Sequence, residues 1–109
     1  MNVIFLPKVL EYLDDLVFIL FEKQYFSYLE TSIRYIDDLV DDIKNTLPMK
    51  LRKPAPPYFN KYGEGMYYAV FTKNRRTSWY AFFRIYEQES KRIYQVRYIA
   101  NNHTVAQHL

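Results

Sequence analysis

Cysteine is absent from this 109-residue sequence, and glycine occurs only twice. Without cysteine the sequence offers neither a disulfide framework nor a thiolate metal site, and a reducing compartment is permitted. The sequence contains no glycine-rich phosphate loop and no nucleophile elbow, and with two glycines most such motifs are excluded, so common small-molecule enzyme chemistry is disfavoured. No cofactor is therefore expected.

Long apolar runs are also missing, and the nearest candidate is confined to residues 16–21. This run is far shorter than the roughly 18 residues that a membrane-spanning helix needs. The first seven residues show neither the cationic leader nor the small-residue cleavage site of a secretory signal. The sequence therefore predicts a cytoplasmic protein with no membrane partner.

The residues that are present favour one folded domain with segregated charge. Half of the residues are hydrophobic and 19% are aromatic, so residues 1–109 are expected to form a single domain around one core. Residues 1–47 carry four cations and nine acids, whereas residues 48–109 carry eleven cations and three acids. The second half is therefore expected to meet a polyanion or an acidic partner.

The first half predicts a short strand followed by two helices. Residues 2–6 are typical of a strand, and Pro7 suits the first turn of a helix running from about residue 8 to residue 23. A second helix should end at Pro48, and its apolar seam at helical spacing consists of Leu29, Ile33, Ile36, Val40, Ile43 and Leu47. The joint at residues 24–27 is short, so the helices should form an antiparallel hairpin.

The second half predicts a sheet. Residues 54–57 are so rich in proline that an extended connector is expected there. From Met66 onward the hydrophobic period changes to two, which predicts strands at about residues 66–73, 78–87 and 92–100. Short polar connections should join them into a three-stranded antiparallel meander. The predicted fold class is α+β, with the helices packed on one face of the sheet.

Alternation along the last two strands assigns side chains to the two faces of the sheet. The helix side of the middle strand is predicted to carry Trp79, Ala81, Phe83 and Ile85. The corresponding side of the last strand is predicted to carry Tyr94, Val96, Tyr98 and Ala100. The opposite face is then predicted to carry Tyr80, Arg84, Tyr86, Gln95 and Arg97. Cations interleaved with aromatic rings suit phosphates and stacked bases, so this face is the candidate site.

Other basic and titratable residues add candidates outside that face. One cluster, Lys50, Arg52 and Lys53, precedes the proline-rich connector, and a second, Arg75 and Arg76, lies in the predicted hairpin tip. The excess of cations in this half favours contact with nucleic acid over a purely solubilising role. His103 and His108 stand five positions apart with no acidic residue between them, which does not support a metal site. An imidazole can act as a general acid or base, so His103 is a candidate for that role, the alternative being a solvated side chain.

The order of elements resembles the RelE/ParE superfamily of bacterial toxins over nearly the whole chain. The most specific stretches are Thr77-Ser78-Trp79-Tyr80-Ala81-Phe82-Phe83-Arg84-Ile85-Tyr86 and Tyr94-Gln95-Val96-Arg97-Tyr98-Ile99-Ala100-Asn101-Asn102-His103. They are similar to small RelE-like proteins that have a Trp-Tyr strand and an Asn-Asn-His ending. The resemblance implies a toxin of a type II toxin–antitoxin module, neutralised by a small antitoxin whose extended or helical segment wraps it.

The resemblance also implies how such a toxin acts. RelE-type members cut mRNA in the ribosomal A site without a metal, which implies an endoribonuclease (mRNA interferase) with the ribosome and mRNA as partners. By position, Arg84 and Arg97 would stabilise the phosphate, and Tyr98 or His103 would be the acid or base. ParE-type members instead inhibit DNA gyrase, and a degenerate, non-enzymatic interaction module is a further alternative. An acidic antitoxin segment would suit the cationic half of the chain.

Overall fold

The computed structural model describes residues 2–109 and places a helix hairpin on one face of a five-stranded sheet. The strands are β1 (Asn2–Phe5), β2 (Lys53–Pro54), β3 (Tyr67–Thr72), β4 (Ser78–Gln88) and β5 (Lys91–Asn101), and the helices are α1 (Pro7–Glu22), α2 (Leu29–Thr46) and α3 (Asn102–Val105). In the sheet the strands follow the order β1-β5-β4-β3-β2, with β1 parallel to β5 and all other neighbours antiparallel. The predicted α+β class and the predicted meander of three long strands are confirmed.

The two long helices pack closely because a small polar residue lies between them. Ser32 of α2 is fully buried, and its hydroxyl donates a hydrogen bond to the carbonyl oxygen of Val17 in α1 at 2.6 Å. The partner satisfies the buried hydroxyl, and the short side chain allows the helices to approach. The buried side of α2 differs from the predicted apolar seam. Leu39, outside that seam, is fully buried, whereas Ile33, within it, remains 41% exposed.

The main core lies between the hairpin and the sheet. Trp79, Ala81 and Phe83 of β4 point to the helices, as the alternation predicts, and all three are buried. The indole Nε1 of Trp79 donates to the hydroxyl of Tyr35 in α2 at 2.9 Å, which satisfies the one polar atom of that side chain. The sheet and the hairpin are thus joined by apolar contact and by a partly buried hydrogen bond.

A β-bulge in β5 reverses the side on which its later residues lie. Phe82 pairs with Tyr98, but the next residue of β4, Phe83, pairs with Val96, so Arg97 has no partner in the ladder. Because an extra residue shifts the alternation by one, Tyr98 moves to the face opposite the helices. The prediction that Tyr98 and Ala100 share a side with Tyr94 and Val96 is therefore wrong. Beyond the bulge it is Ile99 that points to the helices.

A thin second layer covers part of the other face of the sheet. The proline-rich segment, predicted to be an extended connector, instead forms β2 and then a 3₁₀ helix at Pro57–Tyr62. Proline at the start suits such a helix, because its fixed φ is already in range and its missing N–H is not needed there. The fully buried Phe59 of this helix packs with Met66, Phe82, Ala100 and Val105. This second core was not predicted.

The end of the chain completes the second layer. After α3, a 3₁₀ turn at Ala106–His108 returns toward the Pro57–Tyr62 helix, and the ring of His108 stacks on Tyr58 with centroids 3.6 Å apart. Across residues 2–109, no helix has both the length and the apolar character needed to cross a bilayer.

Candidate nucleic-acid interface

Most of the predicted site forms one contiguous surface beside the second layer. We call this surface the basic face and define it by Tyr62, Arg84, Tyr86, Gln95, Arg97 and Tyr98. Arg84 and Gln95 are direct cross-strand partners, and the guanidinium of Arg84 lies 5.3 Å from the ring centre of Tyr86. The side-chain oxygen of Gln95 accepts from Arg97 Nη1 at 2.6 Å and from the hydroxyl of Tyr86 at 3.5 Å. The alternation of two neighbouring strands therefore does bring the predicted cations and aromatic rings together.

Arg97 is held in place by the loop that follows the Pro57–Tyr62 helix. Its Nε donates to the carbonyl oxygen of Tyr62 at 2.6 Å. The next residue, Gly63, has φ +149°, and a Cβ placed there would lie only 2.6 Å from Arg97 Nε. Any side chain at this position would collide with the guanidinium and would also be strained by the positive φ. Glycine is thus required for Arg97 to lie against the loop backbone.

The two arginines of the basic face have no acidic partner. Within residues 2–109 the one ion pair joins Arg92 to Glu87, with 2.8 Å between Nη2 and Oε1, and it is exposed. Neither Arg84 nor Arg97 takes part in it. Their charges are therefore available to an external anion, and a guanidinium suits the oxygen geometry of phosphate.

Tyr98 adds a hydroxyl whose proton is strongly retained. Its ring stacks on that of Tyr62, with centroids 3.9 Å apart and planes within 6°. Partial burial, and secondarily the nearby hydroxyl of Tyr62, raise the pKa of Tyr98 well above the usual value for tyrosine. At neutral pH the hydroxyl is therefore protonated, so it can donate a hydrogen bond or a proton but cannot accept one as a base.

The raised pKa of Tyr98 makes the stability of the protein fall at alkaline pH. Below the ordinary tyrosine value of about 10, both the folded and the unfolded states keep this proton. Above it the unfolded state ionises first, so the stability from the protonated hydroxyl declines as the pH rises toward the folded-state pKa. We expect Tyr98→Phe to lose less stability than the wild type between pH 9 and pH 11, as measured by urea unfolding. Parallel losses in the two proteins would contradict this assignment.

His103 lies apart from the other predicted catalytic residues. It belongs to α3 and lines a cleft with Trp79 and Tyr35, which are on the helix side of the sheet. The basic face lies on the opposite side, because Tyr98 packs with the second core. The structure therefore unites Arg84, Arg97 and Tyr98 but separates His103 from them.

The remaining predicted nucleic-acid contacts fall into two further regions. Lys50, Lys53 and Tyr80 line a groove at the open edge of β3, and the guanidinium of Arg52 lies 5.1 Å from the ring centre of Tyr67 at the same edge. Arg75 and Arg76 are exposed in the turn between β3 and β4. The carbonyl oxygen of Arg76 accepts from the side chain of Asn102 at 3.1 Å, which places this turn near α3 rather than near the basic face.

Two residues of the interface were not predicted from the sequence. Tyr62 and Gly63 precede Arg97 by more than thirty positions, and no periodic pattern links them to it. The one signal was a glycine directly after a proline-rich, aromatic segment, which marks a turn or a close backbone approach. This glycine does not indicate that the side chain of Arg97 is the group that lies against the backbone.

Metal ligation and similarity complete the description of the interface. No group of three or more His, Cys, Asp or Glu side chains in residues 2–109 is close enough to hold a metal ion. Comparison of the chain with protein-family models, with curated proteins and with solved structures found no match.

Proposed function

We propose that this chain is the toxin of a type II toxin–antitoxin module of the RelE/ParE kind, acting in the cytoplasm on translation. The observation that carries the proposal is the basic face, where two arginines without acidic partners lie beside three tyrosine rings. Guanidinium groups bind phosphates, and aromatic rings stack on unpaired bases, so the surface suits a single-stranded or looped RNA. The proposed target is mRNA on the ribosome.

The proposed reaction is metal-independent cleavage of mRNA. The ribose 2′-hydroxyl loses its proton to solvent water as its oxygen attacks the adjacent phosphorus, which forms a 2′,3′-cyclic phosphate while the bond from phosphorus to the 5′-oxygen breaks. Arg84 and Arg97 would stabilise the extra negative charge of the pentavalent phosphate. Tyr98 would give its proton to the departing 5′-oxygen, because its raised pKa keeps it protonated until that oxygen becomes basic.

A second candidate is a non-enzymatic interaction module. Among the described residues, the basic face supplies no side chain that acts as a base near neutral pH to accept the proton of the 2′-hydroxyl, because His103 lies on the other side of the sheet. A surface that binds RNA or a protein without cutting would need no such base. Inhibition of DNA gyrase, as by ParE-type members, is the third candidate.

Induced expression in a bacterial host separates these candidates. Growth arrest with mRNA cut at A-site codons supports the RelE-type nuclease. Arrest with intact mRNA and an induced DNA-damage response supports gyrase as the target. Full growth, with the protein present in the soluble fraction and no antitoxin gene supplied, would overturn the toxin proposal and leave the interaction module.

The proposed antitoxin would bind the open edge of β3. The amide of Ala55 donates to the carbonyl oxygen of Met66, so Met66 and every second residue after it direct their backbone groups away from β4. β2 pairs with Tyr67 and Tyr68 only, which leaves the outward groups of Val70 and Thr72 without a neighbouring strand in residues 2–109. Such an edge accepts an added strand.

The side chains around this edge indicate what kind of strand fits. The adjoining groove is lined by Lys50 and Lys53 and by the apolar side chains of Leu51, Val70 and Leu109, of which Leu51 is 95% exposed. Cations and exposed apolar groups together complement an extended segment that carries both acidic and apolar residues. A short acidic reading frame next to the gene would encode such a partner.

Charge reversal at this edge should weaken antitoxin binding. For the double variant Lys50→Glu, Lys53→Glu we expect the affinity for the product of the adjacent acidic reading frame to fall by about 10- to 100-fold, because both interface charges become repulsive. Lys91→Glu, at the start of β5, is the control with the same type of charge change at a distant site. The affinities can be measured by calorimetry.

Hydrogen exchange tests the proposed strand addition independently of charge. The amides of Val70 and Thr72 should exchange rapidly in the free protein and slowly in the complex. Unaltered exchange of both amides in a saturated complex would show that the antitoxin binds elsewhere.

A further inference from the structure

A cleft on the helix side of the sheet is not used by the proposed function. It has a volume of about 390 Å³ and opens where the end of the helix hairpin, the turn between β3 and β4, and α3 meet. Its polar and aromatic lining includes Lys23, Tyr35, Asn74, Trp79, Asn101 and His103. Its volume lies within the range of small-ligand sites.

Two asparagines present fixed donors to this cleft. The side-chain oxygen of Asn74 accepts from the amides of Arg76 and Thr77, both at 2.9 Å. The side-chain oxygen of Asn101 caps α3 by accepting from the amide of Thr104 at 3.1 Å. These bonds fix which end of each carboxamide is the oxygen, and neither NH₂ group donates a hydrogen bond within residues 2–109.

The other polar groups of the cleft are also donors. The hydroxyl oxygen of Tyr35 accepts from Trp79, so its own proton is available to a ligand. Lys23 adds an ammonium group and His103 an imidazole, whereas no Asp or Glu is found in the described lining. A lining of donors and one cation, without a carboxylate, complements a ligand rich in acceptors and negatively charged.

We propose that the cleft binds a single nucleotide. Aromatic rings and apolar side chains of α1 provide a wall against which a base can stack, and the asparagine NH₂ groups match the acceptor atoms on base edges. Lys23 is the cation of the described lining that would attract the phosphate. A free nucleotide and one nucleotide of an RNA chain share this chemistry, and the cleft is on the opposite side of the sheet from the basic face.

Trp79 provides a built-in probe for this site, because it is the only tryptophan in the sequence. Titration with AMP, CMP, GMP and UMP, followed by tryptophan fluorescence and by calorimetry, should show saturable binding of at least one of them. The matching nucleoside, which lacks the phosphate, should bind about tenfold or more weakly. Because RNA is also proposed to bind the basic face, a short oligonucleotide is compared with the mononucleotide in the Arg84→Ala variant. Tighter binding of the oligonucleotide would identify RNA as the source, and weaker binding would identify the free nucleotide.

Two conservative variants test the assigned donors. Asn74→Asp and Asn101→Asp keep the oxygen that accepts from the backbone but replace the NH₂ donor by a negative oxygen. Each should weaken nucleotide binding by about tenfold or more while the unfolding midpoint changes little. Arg92→Ala, which removes an exposed cation that belongs neither to the cleft nor to the basic face, should bind as the wild type does.

Three results would overturn the proposal. The first is the absence of binding for all four nucleotides by both methods at millimolar concentration. The second is unchanged affinity in both asparagine variants. The third is that inorganic phosphate alone binds as tightly as the nucleotides, which would make the cleft a simple anion site.

Discussion

Replacement of Arg84 by alanine is expected to abolish the growth arrest that the proposed function predicts for induced expression of the wild-type protein. The guanidinium of Arg84 makes no ion pair in residues 2–109 and contacts the exposed ring of Tyr86, so its charge is free to act on an external phosphate. Loss of one group that stabilises developing charge costs about 10²- to 10³-fold in rate in enzymes of known mechanism. Viable counts after induction measure the effect.

The same substitution should leave the fold intact. A partly exposed side chain that makes no internal ion pair contributes little to stability, so the free energy of unfolding should change by only about 0.5 kcal/mol. Arg92→Ala is the matched control, because it removes the same charge from the adjacent strand at an exposed pair with Glu87. This variant should arrest growth as fully as the wild type. Equal toxicity of the Arg84 and wild-type proteins at equal abundance would exclude the basic face.

Arg97 is less suitable for such a test because it also has a structural role. Its Nε donates to the carbonyl oxygen of Tyr62, and its Nη1 donates to Gln95. Removal of the guanidinium would leave that carbonyl without its charged donor, at a cost of about 1–3 kcal/mol. Loss of toxicity in Arg97→Ala alone would therefore combine a loss of charge with a loosened loop.

Phe59→Ala should produce the largest loss of stability among the changes considered. Phe59 is fully buried in the second core, and its ring stacks on that of Phe82 with centroids 4.3 Å apart. Truncation of a buried phenylalanine costs about 3–5 kcal/mol, from lost transfer energy and from the cavity that remains. For a domain of this size the thermal midpoint should fall by more than about 10 °C. Calorimetry measures the change.

The neighbouring Tyr58 is the control for this prediction. It lies in the same 3₁₀ helix, but it is 47% exposed and its ring stacks on that of His108. Tyr58→Ala should cost no more than about 1 kcal/mol. If the two variants unfolded at the same temperature, the segment at Pro57–Tyr62 would not be packed on the sheet as described.

Local patterns were sufficient to predict the main layers of the fold. Helical spacing in α1 and α2 and the period of two in β4 depend on residues that are close in sequence, and so do the short connections between the strands. The bulge at Arg97 could not be predicted in this way. It depends on how β4 and β5 pair across the sheet, and it moved Tyr98 from the predicted core side to the basic face.

The candidate site was also predictable only where it depends on local patterns. Arg84, Tyr86 and Gln95 follow from alternation along two adjacent strands, and the structure brings them together. Tyr62 and Gly63 approach Arg97 from a distant part of the sequence. They belong to the second layer, which is held on the sheet by the packing of Phe59. His103 is close in sequence to β5, but the reversal of the chain into α3 places it on the other side.

Cleavage of mRNA in a purified translation system tests the central proposal most directly. With ribosomes engaged on a defined message, the wild-type protein should produce new 3′ ends at the codon in the A site. The reaction keeps the free Mg²⁺ that the ribosome requires, and EDTA chelates the trace transition metals. Arg84→Ala should produce few or none, and Arg92→Ala should match the wild type. Intact message and undiminished translation at a stoichiometric excess of wild-type protein would contradict the account.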